Sequence, residues 1–168
     1  MPIVLTRSAA GTTYTWIRDN VATVTGMPAS GAGSPISGTL TNTTAGPITV
    51  TFTITPTANG CAGPTTTATV LINPTPDASA TPISQLICNN TPITTIVITG
   101  TVPGTVFNWT RDNVATVTGI AASGTGNISG TLNNTTNAVV NVTFTIIPTA
   151  FGCQPGTPTI VTVTVNPT

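Results

Sequence analysis

Few side chains in this sequence could do chemistry. Lys, Glu and His are absent from the 168 residues, which leaves Cys61, Cys88, Cys153, Asp19, Asp77, Asp112, Arg7, Arg18 and Arg111. General acid–base and nucleophilic catalysis need a tuned base beside a nucleophile or a second carboxylate. The aspartates of the two Arg-Asp-Asn triplets, at 18–20 and 111–113, lie 93 positions apart, and no pair can be built around either. Calcium takes about 6–8 oxygen ligands, usually with several carboxylates. Each triplet offers one, so the expected role is a polar turn in which Asp and Asn bond local backbone. Scattered cysteines without His do not make a zinc site. Gly31-x-Gly33 reads as a turn with no helix after it, so it is no dinucleotide loop. Lys–Asn isopeptide bonds cannot form without Lys. No catalytic residue, metal ligand or cofactor is expected.

What must position these residues is an internal repeat. Arg18 to Gly26 recurs unchanged at Arg111 to Gly119, an offset of 93. Tyr14-Thr15-Trp16 matches Phe107-Asn108-Trp109, and Asn73-Pro74-Thr75 matches Asn166-Pro167-Thr168, at the same offset. Between them, Ser37 to Leu40 matches Ser129 to Leu132, Asn42-Thr43-Thr44 matches Asn134 to Thr136, and Thr51 to Ile54 matches Thr143 to Ile146, at an offset of 92. Self-similarity at the length of a small domain denotes an array of domains. The expected division is a first repeat over 1–74, a Pro-rich linker over 75–82 and a second repeat over 83–168. Pro2-Ile3 matches Pro92-Ile93, which makes the first repeat N-terminally truncated and the chain a piece of a longer array.

Period-2 alternation makes the elements strands. Val142 to Ile146, Val161 to Val165 and Val50 to Ile54 place apolar residues on one face and Thr on the other. In the second repeat, strands are expected near 83–88, 93–100, 105–111, 114–119, 127–132, 139–147 and 158–166. About seven short strands at such spacing describe an immunoglobulin-like sandwich. The fold class is therefore all-β, two tandem β-sandwiches end to end. Trp16, Trp109, Phe52 and Phe144 are the candidate core anchors, and the prolines of 75–82 favour an extended, semi-rigid spacer.

Composition narrows the class. Hydrophobic residues make up 39%, enough for a core, and charged residues only 4%, against about 25% on average. Thr fills 42 positions and takes the solvent face that Lys and Glu usually hold. A net charge of zero gives no attraction for nucleic acid or anionic lipid. No apolar run approaches the roughly 18 residues of a membrane helix, and no signal peptide is visible. Thr-x-Thr rows such as Thr65 to Thr69 are ordinary strand faces, because a twisted sheet spoils a flat ice-binding lattice. Most of the Asn-x-Thr/Ser sequons at Asn42, Asn89, Asn108, Asn127, Asn133, Asn134 and Asn141 follow from composition, glycan attachment being the alternative at each.

The cysteines suggest disulfides with one left over. If Cys88, just after the linker, and Cys153, in the last hairpin, share a pole of the second sandwich, a Cys88–Cys153 bridge closes a loop of about 65 residues, worth about 4 kcal/mol in the chain-entropy picture. The partner of Cys61 would then lie outside the chain. A Cys61–Cys88 bridge is the rival.

The series Tyr-x-Trp-x-Arg-Asp-Asn, Val-Thr-Gly, Ser-Gly-x-Gly, Ile-Ser-Gly-Thr-Leu, Asn-Thr-Thr, Val-Thr-Phe-Thr-Ile, Asn-Gly-Cys and Val-Asn-Pro-Thr resembles the PKD-like repeats of giant surface proteins in Bacteroidota. The second repeat departs at Phe151-Gly152-Cys153, where the first has Asn59-Gly60-Cys61. The resemblance implies a cell-surface location and a spacer in an adhesin stalk or filament, exported by the type IX system and in some members tied to gliding. Its partners would be neighbouring repeats and, beyond them, other fibre chains or surface glycans, with no nucleic acid and no direct membrane contact. The alternatives are a carbohydrate-binding module, which needs Trp16 and Trp109 exposed, and a subunit whose missing strand is supplied by another chain.

Overall fold

The computed structural model describes residues 2–6 and 9–168. The chain divides into two compact units, Met1–Pro74 and Thr75–Thr168. Each is an immunoglobulin-like sandwich of strands, with no helix among the described residues.

The first unit contains β1 (Thr13–Arg18), β2 (Val24–Thr25), β3 (Ser30–Ala32), β4 (Thr41–Asn42), β5 (Ile48–Ala58), β6 (Cys61–Ala62) and β7 (Thr66–Ile72). The second contains β8 (Ser79–Thr81), β9 (Ser84–Ile87), β10 (Thr91–Pro92), β11 (Val97–Thr99), β12 (Val106–Arg111), β13 (Val117–Thr118), β14 (Ser123–Thr125), β15 (Thr131–Asn134), β16 (Val140–Thr149) and β17 (Thr159–Val165). The main sheet of the second unit runs β14-β12-β16-β17-β9. Opposite it lie the pairs β11-β8 and the set β10-β15-β13. The first unit repeats the main sheet as β3-β1-β5, with β6 and β7 also pairing with β5.

Thr/apolar alternation sets the register. Along β16, Val142, Phe144 and Ile146 are fully buried while the residues between them are not. Phe144 lies opposite Val161 on β17, and Phe52 opposite Ala68 on β7. Trp109 meets Phe144 edge-on with ring centroids 5.8 Å apart, and Trp16 meets Phe52 at 5.6 Å. Such aromatic pairs add about 0.5–1.5 kcal/mol beyond the area they bury.

Three expectations are corrected. Residues 75–82 are not a free-standing spacer, because Ser79–Thr81 pair with Val97–Thr99 and Ala80 is buried in the second core. A short strand with one inward alanine carries almost no hydrophobic periodicity, so the flanking prolines, Pro76 and Pro82, dominate the sequence pattern. Gly31, expected in a turn, is a strand residue opposite Trp16, as Gly124 is opposite Trp109. Finally, Ile3 bridges Ile36 as Ile96 bridges Ile128. Ile3-Val4-Leu5-Thr6 thus corresponds to Ile96-Val97-Ile98-Thr99, at the offset of 93 found elsewhere, and the Pro-Ile match with 92–93 is fortuitous.

Candidate functional site

The repeated Arg-Asp-Asn triplet is the most polar feature of each unit, and its groups are engaged internally. Position 111 follows 107 and 109 on the inward face of β12, which buries Arg111. Its Nε donates to the carbonyls of Ile120 and Ala121, its Nη2 to Ile120 and its Nη1 to Asp112. Burial lowers its pKa and the charge of Asp112 opposes that shift. A guanidinium nonetheless stays charged. Arg18 does the same work with the carbonyls of Pro28, Asp19, Val24 and Met27.

Asp and Asn of the triplet reach further than a local turn. The Thr51 amide donates to Asp19 Oδ1 at 2.7 Å, and Asn20 Nδ2 donates to the Thr49 carbonyl at 2.8 Å. Asp112 and Asn113 hold Thr143 and Asn141 at 2.7 Å each. The triplet therefore latches the loop after β1 or β12 onto the long strand β5 or β16. The expectation of purely local bonding is corrected. Among the described residues no group of three or more His, Cys, Asp or Glu converges.

The Asn-Thr-Thr motif is a second built-in clasp. Asn134 is 3% exposed; its Oδ1 accepts from the amide and hydroxyl of Thr136, and its Nδ2 donates to the Ala138 and Val165 carbonyls. Asn42 repeats this with Thr44, Gly46 and Ile72. The one signal in the sequence that sets Asn42 and Asn134 apart from a compositional triplet is their recurrence at the repeat offset. In the second unit Asn89 adds a further link, donating to the Asn134 carbonyl and accepting its amide.

Trp16 and Trp109 are each 7% exposed and present no aromatic face to solvent. The Trp109 indole N–H is buried without an acceptor. Phe52 and Phe144 are 1% and 0% exposed.

All three cysteines are exposed and none is in a disulfide. The Cys88–Cys153 bridge fails on topology. β9 runs parallel to β17, with Ile87 beside Val165. Cys88 therefore stands at the C-terminal end of β17, whereas Cys153 precedes its N-terminal end. Six residue steps at about 3.3 Å separate the two ends by about 20 Å, against a limit of about 7 Å between bridged Cα atoms.

One concave feature distinguishes the units. Ile3, Met27, Leu40, Phe52, Val70 and Ile72 line an open groove of about 170 Å³ in the first. Their counterparts Ile96, Ile120, Leu132, Phe144, Val163 and Val165 are all buried. The first unit leaves Ile3, Met27, Leu40, Val70 and Ile72 half-buried.

The PKD-like domain family matches the chain twice, over residues 3–76 and 80–168. No curated protein matches. Among solved structures, domains 4 and 5 of the S-layer protein SbsC match at 20% identity, covering 96% of this chain and 74% of that one, with a TM-score of 0.35.

Proposed function

The chain belongs to the PKD-like domain family, and from that footing we propose that it is a structural spacer, one length of an extracellular array that projects the tip of a bacterial surface adhesin or filament. The observation that carries this reading is the fate of the repeated polar motifs. In both units Arg-Asp-Asn and Asn-Thr-Thr bond the protein's own backbone, so what the repeats share is a means of holding loops to strands. A spacer must keep its shape in every copy and needs no chemistry of its own.

The surface suits this role. Thr faces solvent along the strands, and the few charges leave little for salt to screen. The burial of both tryptophans argues against carbohydrate recognition through aromatic stacking. The natural partners are neighbouring repeats of the same array, with other fibre chains or surface glycans met elsewhere along it. Export by a type IX system and a Bacteroidota origin belong to the same reading, on the strength of the sequence resemblance.

Sedimentation velocity and a glycan-array screen on the full chain test it together. The expected result is a soluble chain without saturable binding to any glycan. Saturable glycan binding would replace the spacer reading with a lectin-like one.

A further inference from the structure

The two units are copies, so each serves as a control for the other on the outer face of its main sheet. Outward positions alternate with buried ones along each strand. In the first unit every outward position on β1, β5 and β7 is threonine apart from Ile17 and Leu71. Those two are exposed but stand apart, with threonines between them. In the second unit three neighbouring threonines give way to apolar residues. Val106 faces Thr149 as Thr13 faces Thr57, Ile147 faces Asn108 as Thr55 faces Thr15, and Ile160 faces Thr145 as Thr67 faces Thr53. Val106 and Ile147, and Ile147 and Ile160, are diagonal neighbours on adjacent strands, close enough for long side chains to touch. They form one stripe across β12, β16 and β17. Val106 and Ile160 are 50% and 51% exposed. Single exposed apolar residues are ordinary, whereas a contiguous patch marks a contact surface.

The turn after β16 adds a fourth apolar residue. Phe151 takes the place of Asn59, with φ 55° where Asn59 has 51°, and a glycine of positive φ follows each, Gly152 and Gly60. Two-residue turns of this kind prefer Asn-Gly, and left-handed backbone strains a bulky residue. The turn thus bears a conformational cost for an aromatic side chain that the fold leaves 48% exposed. Thr13, Thr55, Asn59 and Thr67 show that the fold is complete with polar residues at all four positions. Each position lies inside its unit and is present in both copies, so the contrast owes nothing to the ends of the chain.

We propose that this face of the second unit is a lateral contact between copies of the chain, the stripe of one packing on the same stripe of another about a two-fold axis. Ile147 sits at the centre and Phe151 at the rim. Charge selects the occupant. The second unit holds only Asp77, Arg111 and Asp112. Arg111 is buried, and the carboxylates accept from the Thr101 and Thr143 amides. A partner that docks through charge finds little to pair with. Asn108, Thr110, Thr145 and Thr149 border the stripe, giving the apolar centre and polar rim of a protein interface. Another copy brings the matching surface, and a net charge of zero sets no repulsion against it. Strand spacing and rise make the sheet face roughly 450 Å², about half of the ~800 Å² that each partner of a stable complex buries. The contact is therefore weak for one unit and strengthens where several act together. The inference rests on the reading of the chain as part of an array, and it identifies the other fibre chains as further copies of this one.

The test is sedimentation equilibrium of the full chain, with a reductant present so that the exposed cysteines cannot join copies. The mass should rise from one chain towards two as the concentration approaches about 1 mM. Ile147→Thr with Ile160→Thr installs the residues of the first unit, which keeps the fold, and should weaken association by at least about tenfold. Phe151→Asn should weaken association while raising the melting temperature of the second unit, opposite signs that a purely structural role does not give. Leu71→Thr, on the outer face of the first unit, should leave association unchanged. A chain monomeric up to about 1 mM, association that survives the double threonine variant, or association lost with Leu71→Thr would overturn the proposal. Saturable glycan binding abolished by the same two threonines would assign the face to a glycan instead. A monomeric chain that binds no glycan removes the lateral contact and leaves the spacer reading standing.

Discussion

Gly31 and Gly124 sit in mid-strand, where glycine weakens a sheet unless something needs the space its side chain would fill. A Cβ on Gly124 would overlap Cζ2 of Trp109, and one on Gly31 would overlap the same atom of Trp16. The indole lies flat across the neighbouring strand and only glycine lets it. Gly124→Ala should therefore destabilise the second unit by about 1–3 kcal/mol, the usual cost of overpacking, seen as a lower urea midpoint with altered near-ultraviolet dichroism from Trp109. The buried arginine answers to a different term. Arg111→Met keeps the aliphatic stem but leaves the buried Ile120 carbonyl without its donor, which carries a desolvation penalty, and also loses the part-buried bonds to the Ala121 and Asp112 carbonyls. A loss of about 2 kcal/mol is expected. Arg111→Lys should recover little of it, because a point charge cannot reproduce the planar fork. Equal stabilities for Arg111→Met and the parent chain would show that the latch is idle.

At the scale of elements, the sequence was legible wherever alternation was strong and mute where a strand had little to alternate. β5, β7, β16 and β17 announce themselves through Val, Ile and Phe spaced two apart, and the core anchors fall out of the same pattern. β3 reads as a turn in the sequence, and β14 falls between the expected strands, because each is built around the glycine under the tryptophan. β8 is masked by the prolines that flank it, Pro76 and Pro82. The separation of Cys88 from Cys153 is not legible in the sequence, because the direction of β9 depends on a parallel contact with β17 and no local pattern carries that information. The groove was legible only as a suspicion that the first repeat lacks a strand. Its lining became visible when the two registers could be compared. The segment before β8 also contributes a testable charge. Asp77 Oδ1 accepts from the amide and the hydroxyl of Thr101, both at 2.8 Å. Those bonds, the backbone one foremost, lower its pKa below the ordinary 3.8. A depressed folded pKa gives stability that is present above the unfolded value and lost as pH falls through the folded one. Melting of the second unit should accordingly weaken as pH drops below about 4, and Asp77→Asn should flatten that part of the profile. An unchanged slope would mean the Asp77–Thr101 link contributes nothing.

For the molecule as a whole, two copies of one fold need not share one stability. Among the described residues the second core joins fifteen buried residues, Ala80 to Val165, and the first joins six, Trp16 to Ile54. The difference is not one of sequence quality, since Trp, Phe and the Ile-Val faces recur in both. It comes from the strands β8, β9 and β10, whose side chains exclude water from positions that stay half-wet in the first unit. Burial of apolar area stabilises by roughly 25 cal/mol per Å², so leaving Ile3, Met27, Leu40, Val70 and Ile72 partly exposed removes a few kcal/mol from a unit whose total is of order 5–15 kcal/mol. The expected calorimetric trace has two transitions, the lower from the first unit. Single-tryptophan variants assign them. Trp109→Phe leaves Trp16 to report the early transition, and Trp16→Phe leaves Trp109 to report the late one. Raising salt should move neither transition appreciably, because the six charged side chains leave little long-range electrostatics to screen. If both reporters melted together, the two units would be unfolding as one cooperative block. The half-buried lining of the groove would then cost nothing measurable in the free chain.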